Sequence, residues 1–180
     1  MASWTSFETA FGWCGVAWQG DVITRVVLPM SGEDELATHT QRAVPGASRE
    51  APPAWVQQAI TRMTAHFTGA LDDLRDIPVV LAANVFERSI YSLTRAIPPG
   101  QTRTYGELAA ATGDATQARA VGQAMARNPV PLIVPCHRVL AAGGALGGFS
   151  APGGTETKYH LLQLEGAAVA SQLGMFDATR

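Results

Sequence analysis

The stretch TYGELAAATGDATQARAVGQAMARN, residues 104–128, contains two helical segments separated by a tight Gly-Asp turn. Thr104 can cap the first segment and Gly113 can end it, while Asp114 can cap the second, which runs up to Pro129. Two short helices joined in this way are typical of a helix-turn-helix. A plain helical hairpin that packs on a core fits the same pattern, and the pattern alone leaves both alternatives open.

The second of these segments is poor in bulky side chains. Small residues would let its backbone approach another surface closely, such as a nucleic-acid groove, although alanine also simply favours helix. The small residues are Ala115, Ala118, Ala120, Gly122, Ala124 and Ala126, with Arg119 standing out among them. Because glycine costs about 1 kcal/mol in a helix interior, we expect a packing or contact reason for Gly122.

Before this stretch, β-rich and helical segments alternate. FETAFGWCGVAW (7–18) and VITRVVLP (22–29) are β-rich runs that Gln19-Gly20-Asp21 would join as a hairpin, and IPVVLA (77–82) predicts a short buried strand. Helices are predicted over SGEDELATHTQRA (31–43), with Ser31 as N-cap, and over 53–71. A small sheet flanked by helices is therefore expected up to about residue 82.

Between that sheet and the paired helices, Asn84 can cap one further helix, VFERSIYSLTRAI, which Pro98-Pro99-Gly100 stops. Its apolar face is predicted to comprise Val85, Ile90, Leu93 and Ile97. The predicted class is α/β (α+β), with an α/β domain over 1–82, a mostly helical domain over 83–170 and a tail over 171–180.

Composition limits the classes of protein that the chain can belong to. With 180 residues and 47% hydrophobic content, the chain is long enough to bury a core. No apolar run reaches the roughly 20 residues needed to span a bilayer, and the N-terminus lacks the features of a signal peptide. Two widely separated cysteines form no disulfide framework, so we expect a cytoplasmic protein without a membrane partner.

Charge is distributed unevenly along the chain. Residues 1–85 hold five arginines against nine acids, a net charge of −4, whereas residues 86–166 hold six arginines and one lysine against five acids, a net charge of +2. Any contact with nucleic acid is therefore expected in the second half, with an affinity that falls as salt rises.

The segment PLIVPCHRVL, 131–140, places one of the two cysteines at the end of an apolar run. Cys136 is followed at once by His137, a possible base, and by Arg138, a fixed positive charge. A free thiol has a pKa near about 8.5, so a nucleophilic cysteine needs a base or a positive charge beside it. His137 could serve directly or through one water, although a Cys-His adjacency alone is weak evidence.

Glu165, in YHLLQLEG (159–166), could accept the proton on the second ring nitrogen of His137 and so orient the ring. A solvated glutamate in the last turn of a helix fits the same residues, and both interpretations stay open. The sequence shows no metal-ligand spacing. Cys14 is predicted to lie in the core, and His39, His66 and His160 are predicted to be surface or structural groups.

Three segments together resemble the O6-alkylguanine-DNA alkyltransferase family. They are IPPGQTRTYGELAAATG (97–113), ARAVGQAMARNPVPLIVPCHRVL (118–140) and KYHLLQLEG (158–166). The resemblance covers about residues 84–166, whereas the first half resembles the family's ribonuclease-H-like N-terminal domain only in layout.

The resemblance implies a catalytic role for five residues. Cys136 would attack the alkyl carbon on guanine O6, and His137 would act as its base through a water, with Glu165 holding the ring. Asn128 would brace the turn between the recognition helix and an active-site strand, at whose end Cys136 would lie. Tyr105 would donate a proton toward N3 of the leaving guanine.

It also implies a DNA-binding surface and an alkyl pocket. The helix over 115–127, including Ala118, Ala120 and Gly122, would lie in the minor groove of double-stranded DNA, with Arg119 entering the base stack. The carbonyls of Cys136 and Val139 would accept from the exocyclic amine of guanine, and the backbone of Ser150 would donate to O6. Pro131 and Phe149 would also line the pocket. Many relatives carry tyrosine at the position of Phe149, and the loop that contains it is about two residues shorter in them.

The implied activity is DNA repair by a single, irreversible transfer of the alkyl group to Cys136. A monomer that needs neither cofactor nor metal is expected. The alternatives are a relative that accepts alkyl groups from a non-DNA substrate, a non-repairing protein that only binds alkyl lesions, and a cysteine acyltransferase or hydrolase of small molecules.

Overall fold

The structure of the protein is a computed structural model that describes residues 1–81 and 83–169. It is a mixed α+β protein. The strands are β1 (Ser3–Thr9), β2 (Gly12–Gln19), β3 (Val22–Met30), β4 (Ser48–Arg49), β5 (Arg103–Thr104) and β6 (Val139–Leu140). The α-helices are α1 (Glu33–Ala43), α2 (Ala54–His66), α3 (Val85–Arg95), α4 (Tyr105–Ala111), α5 (Ala118–Ala126) and α6 (Gly154–Leu164). Short 3-10 turns cover Ala115–Gln117, Cys136–Arg138 and Ala142–Gly144. The predicted fold class is confirmed.

The N-terminal half is built on one sheet with strand order β3-β2-β1-β4. The first three strands are antiparallel, and β4 runs parallel to β1. The hairpin between β2 and β3 turns at Gly20-Asp21, as predicted, because Gln19 pairs with Val22. The first β-rich run is two strands rather than one, since Thr9 pairs with Gly12 across a second two-residue turn.

Two of the predictions for the N-terminal half are wrong in detail. The described part of the predicted strand, 77–81, is not a buried strand: Val79 makes a single bridge to Ile23 at the edge of the sheet, and Val80 is 53% exposed. Pro78 lacks the N–H that a continuous ladder needs, so pairing stops after one bridge. Ser31 is not the N-cap of α1 either, because Gly32 takes that position and the hydroxyl of Ser31 donates to Glu35 instead.

Helices α3 and α4 begin at the predicted caps. Asn84 and Thr104 each accept a hydrogen bond from the backbone of a glutamate three residues on, and each glutamate returns one, so both α3 and α4 begin with a capping box. Val85 does not belong to the apolar face of α3, because it lies in the first turn and is 73% exposed.

The two helices α4 and α5 are joined through Gly113, whose φ of 98° favours glycine. Asp114 caps the 3-10 turn Ala115–Gln117 by accepting from the backbone of Thr116, and α5 proper starts only at Ala118. The predicted pair of helices is therefore present, with its second α-helix three residues shorter at the start.

The apolar run before Cys136 is a buried turn rather than the end of a strand. Val134 donates to the carbonyl of Val130 (2.9 Å), and Leu132 has a φ of 71°. Prolines before, within and after this run remove the N–H groups that a ladder would use, which explains why an apolar sequence does not extend here. The strand begins only at Val139, where β6 pairs parallel to β5.

The two halves share one hydrophobic core, which includes residues of β2, β3, α2, α3, α5 and the turn before Cys136. Val26 of β3 donates to the carbonyl of Pro129 (2.9 Å), which ties the sheet to the segment that leads to Cys136. The boundary between 82 and 83 stays a prediction, and the tail 171–180 lies outside the described residues. Among those residues, no helix is long and apolar enough to cross a membrane.

Candidate active site

Cys136 opens the 3-10 turn that follows the buried segment, and its side chain is only 6% exposed. Burial raises the pKa of the thiol, although hydrogen bonding with Asn128 and the positive charge of Lys158 oppose the rise. The resting cysteine is therefore a thiol, and a base must remove its proton before it can act as a nucleophile.

His137 provides a base of the right kind beside the thiol. Burial lowers the pKa of its ring, and the hydrogen bond that the ring donates to Glu165 only partly offsets this, so the imidazole is neutral at neutral pH. Its Nε2 lies 2.8 Å from Oε1 of Glu165, which makes Nε2 the protonated nitrogen and leaves Nδ1 free to accept a proton. We call Cys136, His137 and Glu165 the relay.

Glu165 is buried with a side chain that has no exposed surface, so the interpretation of a solvated residue is wrong. Arg138 holds it through Nε to Oε2 (2.9 Å) and Nη2 to Oε1 (2.8 Å). Burial would raise the pKa of this carboxyl, but hydrogen bonds from His137, His66 and Arg138 outweigh burial and hold the pKa well below its usual value. Glu165 is therefore an ionised acceptor.

Two members of this buried cluster were not recognised from the sequence as site residues. Arg138 was noted only as a nearby charge, yet it is fully buried and also donates to the carbonyl of Ile97 (2.7 Å). His66, at the end of α2, places Nε2 3.0 Å from Oε1 of Glu165, and 99 residues separate the two in the chain. No local pattern signals a contact over such a separation.

The groups His66, His137 and Glu165 lie close enough together to share a metal ion. The guanidinium of Arg138 already occupies both oxygens of the carboxylate. A cation there would have to displace a buried positive charge from its counter-ion, which is strongly unfavourable. We assign no metal site to these groups.

Asn128 spans the turn between α5 and the cysteine. Its Nδ2 donates to the carbonyl of Val134 (2.7 Å), and its Oδ1 accepts from the backbone of Val130 (3.1 Å). Both hydrogen bonds close the buried turn in which the backbone cannot form a ladder. The bracing position expected for Asn128 therefore has a geometric basis.

Lys158 is a site residue that sequence reasoning missed. It is the only lysine of the chain and is fully buried. Its Nζ donates to the carbonyl of Val139 (2.6 Å) and lies 5.7 Å from the ring centre of Tyr105. Burial lowers its pKa to about 8, and the nearby Cys136 opposes this.

A cavity of about 560 Å³ opens above the thiol, between α5 and the loop before α6. Seven of the predicted site residues line it, and they are Cys136, Tyr105, Ala118, Arg119, Gly122, Phe149 and Ser150. Burial raises the pKa of the Tyr105 hydroxyl, so this side chain remains a proton donor at neutral pH. A flat aromatic base of nucleobase size fits a cavity of this volume.

The other predicted pocket residues lie outside this large cavity. Pro131 and Asn128 line a smaller cavity of about 140 Å³ on the side of β3, which also reaches Cys136. Val139 is buried and lines neither cavity, and its carbonyl accepts from Lys158. Ala120 lines neither cavity, and the hydroxyl of Ser150 donates to the carbonyl of Ala126 (2.9 Å) at the rim.

The outer face of α5 is open to a partner. Arg119 is exposed, and a side chain at Gly122 would meet no atom within 4 Å. Packing within the chain therefore does not explain why position 122 is a glycine, whereas contact with a partner remains an explanation. The small residues of α5 leave a shallow surface directly above the cavity that holds the thiol.

The buried thiol of Cys136 thus lies in the lining of a cavity under α5, the second helix of the pair formed by α4 and α5. Residues 85–167 match the family model described as 6-O-methylguanine DNA methyltransferase, DNA binding domain. Curated relatives named methylated-DNA–protein-cysteine methyltransferase include one from Mycolicibacterium paratuberculosis, 35% identical over 84% of this chain and 93% of the relative. Another, from Mycobacterium tuberculosis, is 33% identical over 98% of this chain and 100% of the relative.

Solved structures agree with these relatives. The crystal structure of Mycobacterium tuberculosis O6-methylguanine methyltransferase superimposes with a TM-score of 0.74, at 32% identity over 98% of this chain and 100% of that chain. A crystal structure of the same organism's OGT in complex with DNA gives a TM-score of 0.75 over 91% of this chain and 92% of that one. The chain belongs to the methylated-DNA–protein-cysteine methyltransferase family.

Proposed function

We propose that the protein repairs O6-alkylguanine in DNA by moving the alkyl group irreversibly to the sulfur of Cys136. The observation that carries the proposal is that Cys136 lines the cavity under α5 and is followed in the chain by a histidine whose ring is hydrogen-bonded to the buried Glu165. The family and the DNA complex of a similar structure support DNA as the partner.

The first step removes the proton from the thiol. Nδ1 of His137 accepts it, directly or through one water, because Nε2 is committed to Glu165. The imidazolium that forms is stabilised by the ionised carboxylate, and the thiolate by the positive charge of Lys158. The relay thereby overcomes the burial that keeps the resting cysteine protonated.

The second step forms one bond and breaks one. The thiolate attacks the sp3 carbon of the alkyl group, the carbon–oxygen bond to guanine breaks, and the electron pair of that bond moves into the base. Tyr105 donates a proton toward N3 of the leaving guanine and is reprotonated at the expense of the imidazolium, so one proton passes from thiol to base overall. Water does not cleave the thioether product, so each chain reacts once.

We propose that α5 contacts the minor groove with Ala118, Ala120 and Gly122. A duplex hides the O6 substituent, so the damaged base must be flipped out at a cost of a few kcal/mol. Arg119, exposed beside the cavity mouth, would fill the space that the base leaves. In the large cavity, backbone groups of Cys136 and Ser150 would face the base edge, and Phe149 would bound the alkyl group. Pro131 would bound it from the smaller cavity, and the carbonyl of Val139 would have to accept from the base in addition to Lys158.

We propose that the protein acts as a monomer without metal or cofactor. Both cysteines are free and buried, which supports a reducing, cytoplasmic location. A small-molecule hydrolase would instead turn over many times and retain no group.

Intact-protein mass spectrometry after incubation with an O6-methylguanine oligonucleotide tests the proposal. We expect one added methyl group per chain, none in Cys136→Ala, and an undiminished addition in the matched variant Cys14→Ala. Cys136→Ala should still bind the oligonucleotide. Methyl uptake by Cys136→Ala would assign the nucleophile elsewhere, and turnover of excess oligonucleotide without mass gain would contradict the proposal.

A further inference from the structure

His66 brings a second imidazole to the oxygen that holds His137. It is the last residue of α2, and its side chain is 1% exposed. Its Nε2 lies 3.0 Å from Oε1 of Glu165, the same atom that lies 2.8 Å from Nε2 of His137. The two rings meet edge to face, with centres 6.4 Å apart.

We propose that His66 is a positioning residue of the relay, which fixes Glu165 and sets the pH at which His137 can accept the thiol proton. The inference rests on the alkyl transfer proposed above. It adds to that transfer a residue from the N-terminal half of the chain.

The protonation of His66 follows from its partner. Glu165 is ionised and can only accept hydrogen bonds, because Arg138 donates to both of its oxygens. His66 must therefore present an N–H from Nε2, just as His137 does. The Nδ1 atoms of both rings are buried and have no partner among residues 1–81 and 83–169. His66 is thus a second donor that competes with His137 for one oxygen.

This competition makes His137 a weaker base. A donor on Oε1 reduces the negative charge that the carboxylate offers to the imidazolium of His137. The titratable and charged groups around His66 are Glu165, the neutral His137, Arg138 and Asp72, and Asp72 is paired with Arg62. With His66 present, His137 therefore stays neutral, and able to accept a proton, down to a lower pH than it would without His66.

Single-turnover methyl transfer measured against pH tests this role. His66→Phe keeps the ring volume and removes the donor, so the rising limb of the rate profile should move to higher pH by about one unit. Below the midpoint this shift lowers the rate about tenfold. His66→Gln retains a neutral donor and should move the limb less. His160→Phe, a histidine of α6 that does not contact Glu165, should leave the midpoint in place.

The outcomes separate positioning from packing. A lower rate in His66→Phe with an unmoved midpoint would overturn the inference, because lost packing alone changes the rate and not the proton affinity of His137. If His66→Phe does not fold, His66→Gln and the wild-type ¹⁵N spectrum decide: a proton on Nε2 and none on Nδ1 supports the hydrogen bond, and the opposite tautomer contradicts it. A wild type that takes up no methyl group contradicts the proposed function instead, whatever the tautomer.

Discussion

Glu165 and His137, 28 residues apart in the chain, meet in the interior through a hydrogen bond of 2.8 Å. The same carboxylate binds the buried guanidinium of Arg138. One side chain therefore both orients the base and neutralises a fixed buried charge, and its catalytic and structural contributions are coupled.

Glu165→Gln should lower both stability and activity. An amide cannot accept from all of the donors around it, and it leaves Arg138 without a counter-ion, which costs about 3–5 kcal/mol of unfolding free energy. His137 would also lose the carboxylate that stabilises its imidazolium, so methyl transfer should slow at least about tenfold. Urea unfolding and single-turnover kinetics measure the two effects. Glu156→Gln, an exposed glutamate of α6, is the control, and equal values in both variants would remove Glu165 from the relay.

The relay should make folding sensitive to acid. The pKa of His137 is lowered in the folded protein, so below its ordinary value of 6.5 the unfolded chain binds the proton more readily. Stability is thus present above about pH 6.5 and falls as the pH decreases toward the folded pKa; the lowered pKa of Glu165 adds a further loss below about pH 4.5. Urea unfolding at about pH 5.5 and about pH 7.5 should show the first loss, and His137→Gln should flatten it. If the free energy of unfolding of His137→Gln falls between these two pH values as much as that of the wild type, groups other than His137 cause the acid sensitivity.

Lys158 should titrate near pH 8, far below an ordinary lysine, because burial disfavours its charge. As the only lysine, it can be followed by ¹³C NMR in protein labelled at lysine. Lys158→Met removes a positive charge that favours the thiolate, so iodoacetamide should react more slowly with Cys136 at neutral pH. Gln163→Met, on the exposed face of α6, should react as the wild type does. An ordinary lysine pKa together with an unchanged thiol rate would contradict this assignment.

Arg119→Ala should weaken repair of duplex DNA more than reaction with free O6-benzylguanine. Free base needs no flipping, so only the duplex reaction requires a side chain in the vacated stack. The ratio of the two single-turnover rates is the measurement, and we expect it to fall at least about tenfold. Arg42→Ala removes an exposed arginine of α1 and should leave the ratio unchanged. Equal losses on both substrates in Arg119→Ala would count against an inserted side chain.

Local signals in the sequence predicted the parts of the fold that depend on neighbours in the chain. The caps at Asn84 and Thr104 were identified because a capping box is complete within four residues. The hairpin at Gly20 was identified in the same way. The buried turn before Cys136 was read as the end of a strand, because apolar residues look alike in both and only the prolines distinguish them.

The site was predicted only where the resemblance to a family supplied residues. Composition and spacing did not decide whether Glu165 is exposed to solvent or buried. Nothing near His66 or Lys158 in the sequence predicts the burial of these two side chains. His66 contacts Glu165, 99 residues away in the chain, and Lys158 contacts the carbonyl of Val139, 19 residues away. Periodicity describes single elements and carries no information about which elements meet.

The hydrogen bond from Val26 to Pro129 makes the active site depend on both halves of the chain. Pro129 stands at the start of the buried turn that leads to Cys136, and Val26 belongs to β3 of the N-terminal sheet. A chain whose sheet has not formed therefore lacks one fixed end of that turn, so we expect the surroundings of the thiol and the sheet to form in one cooperative transition.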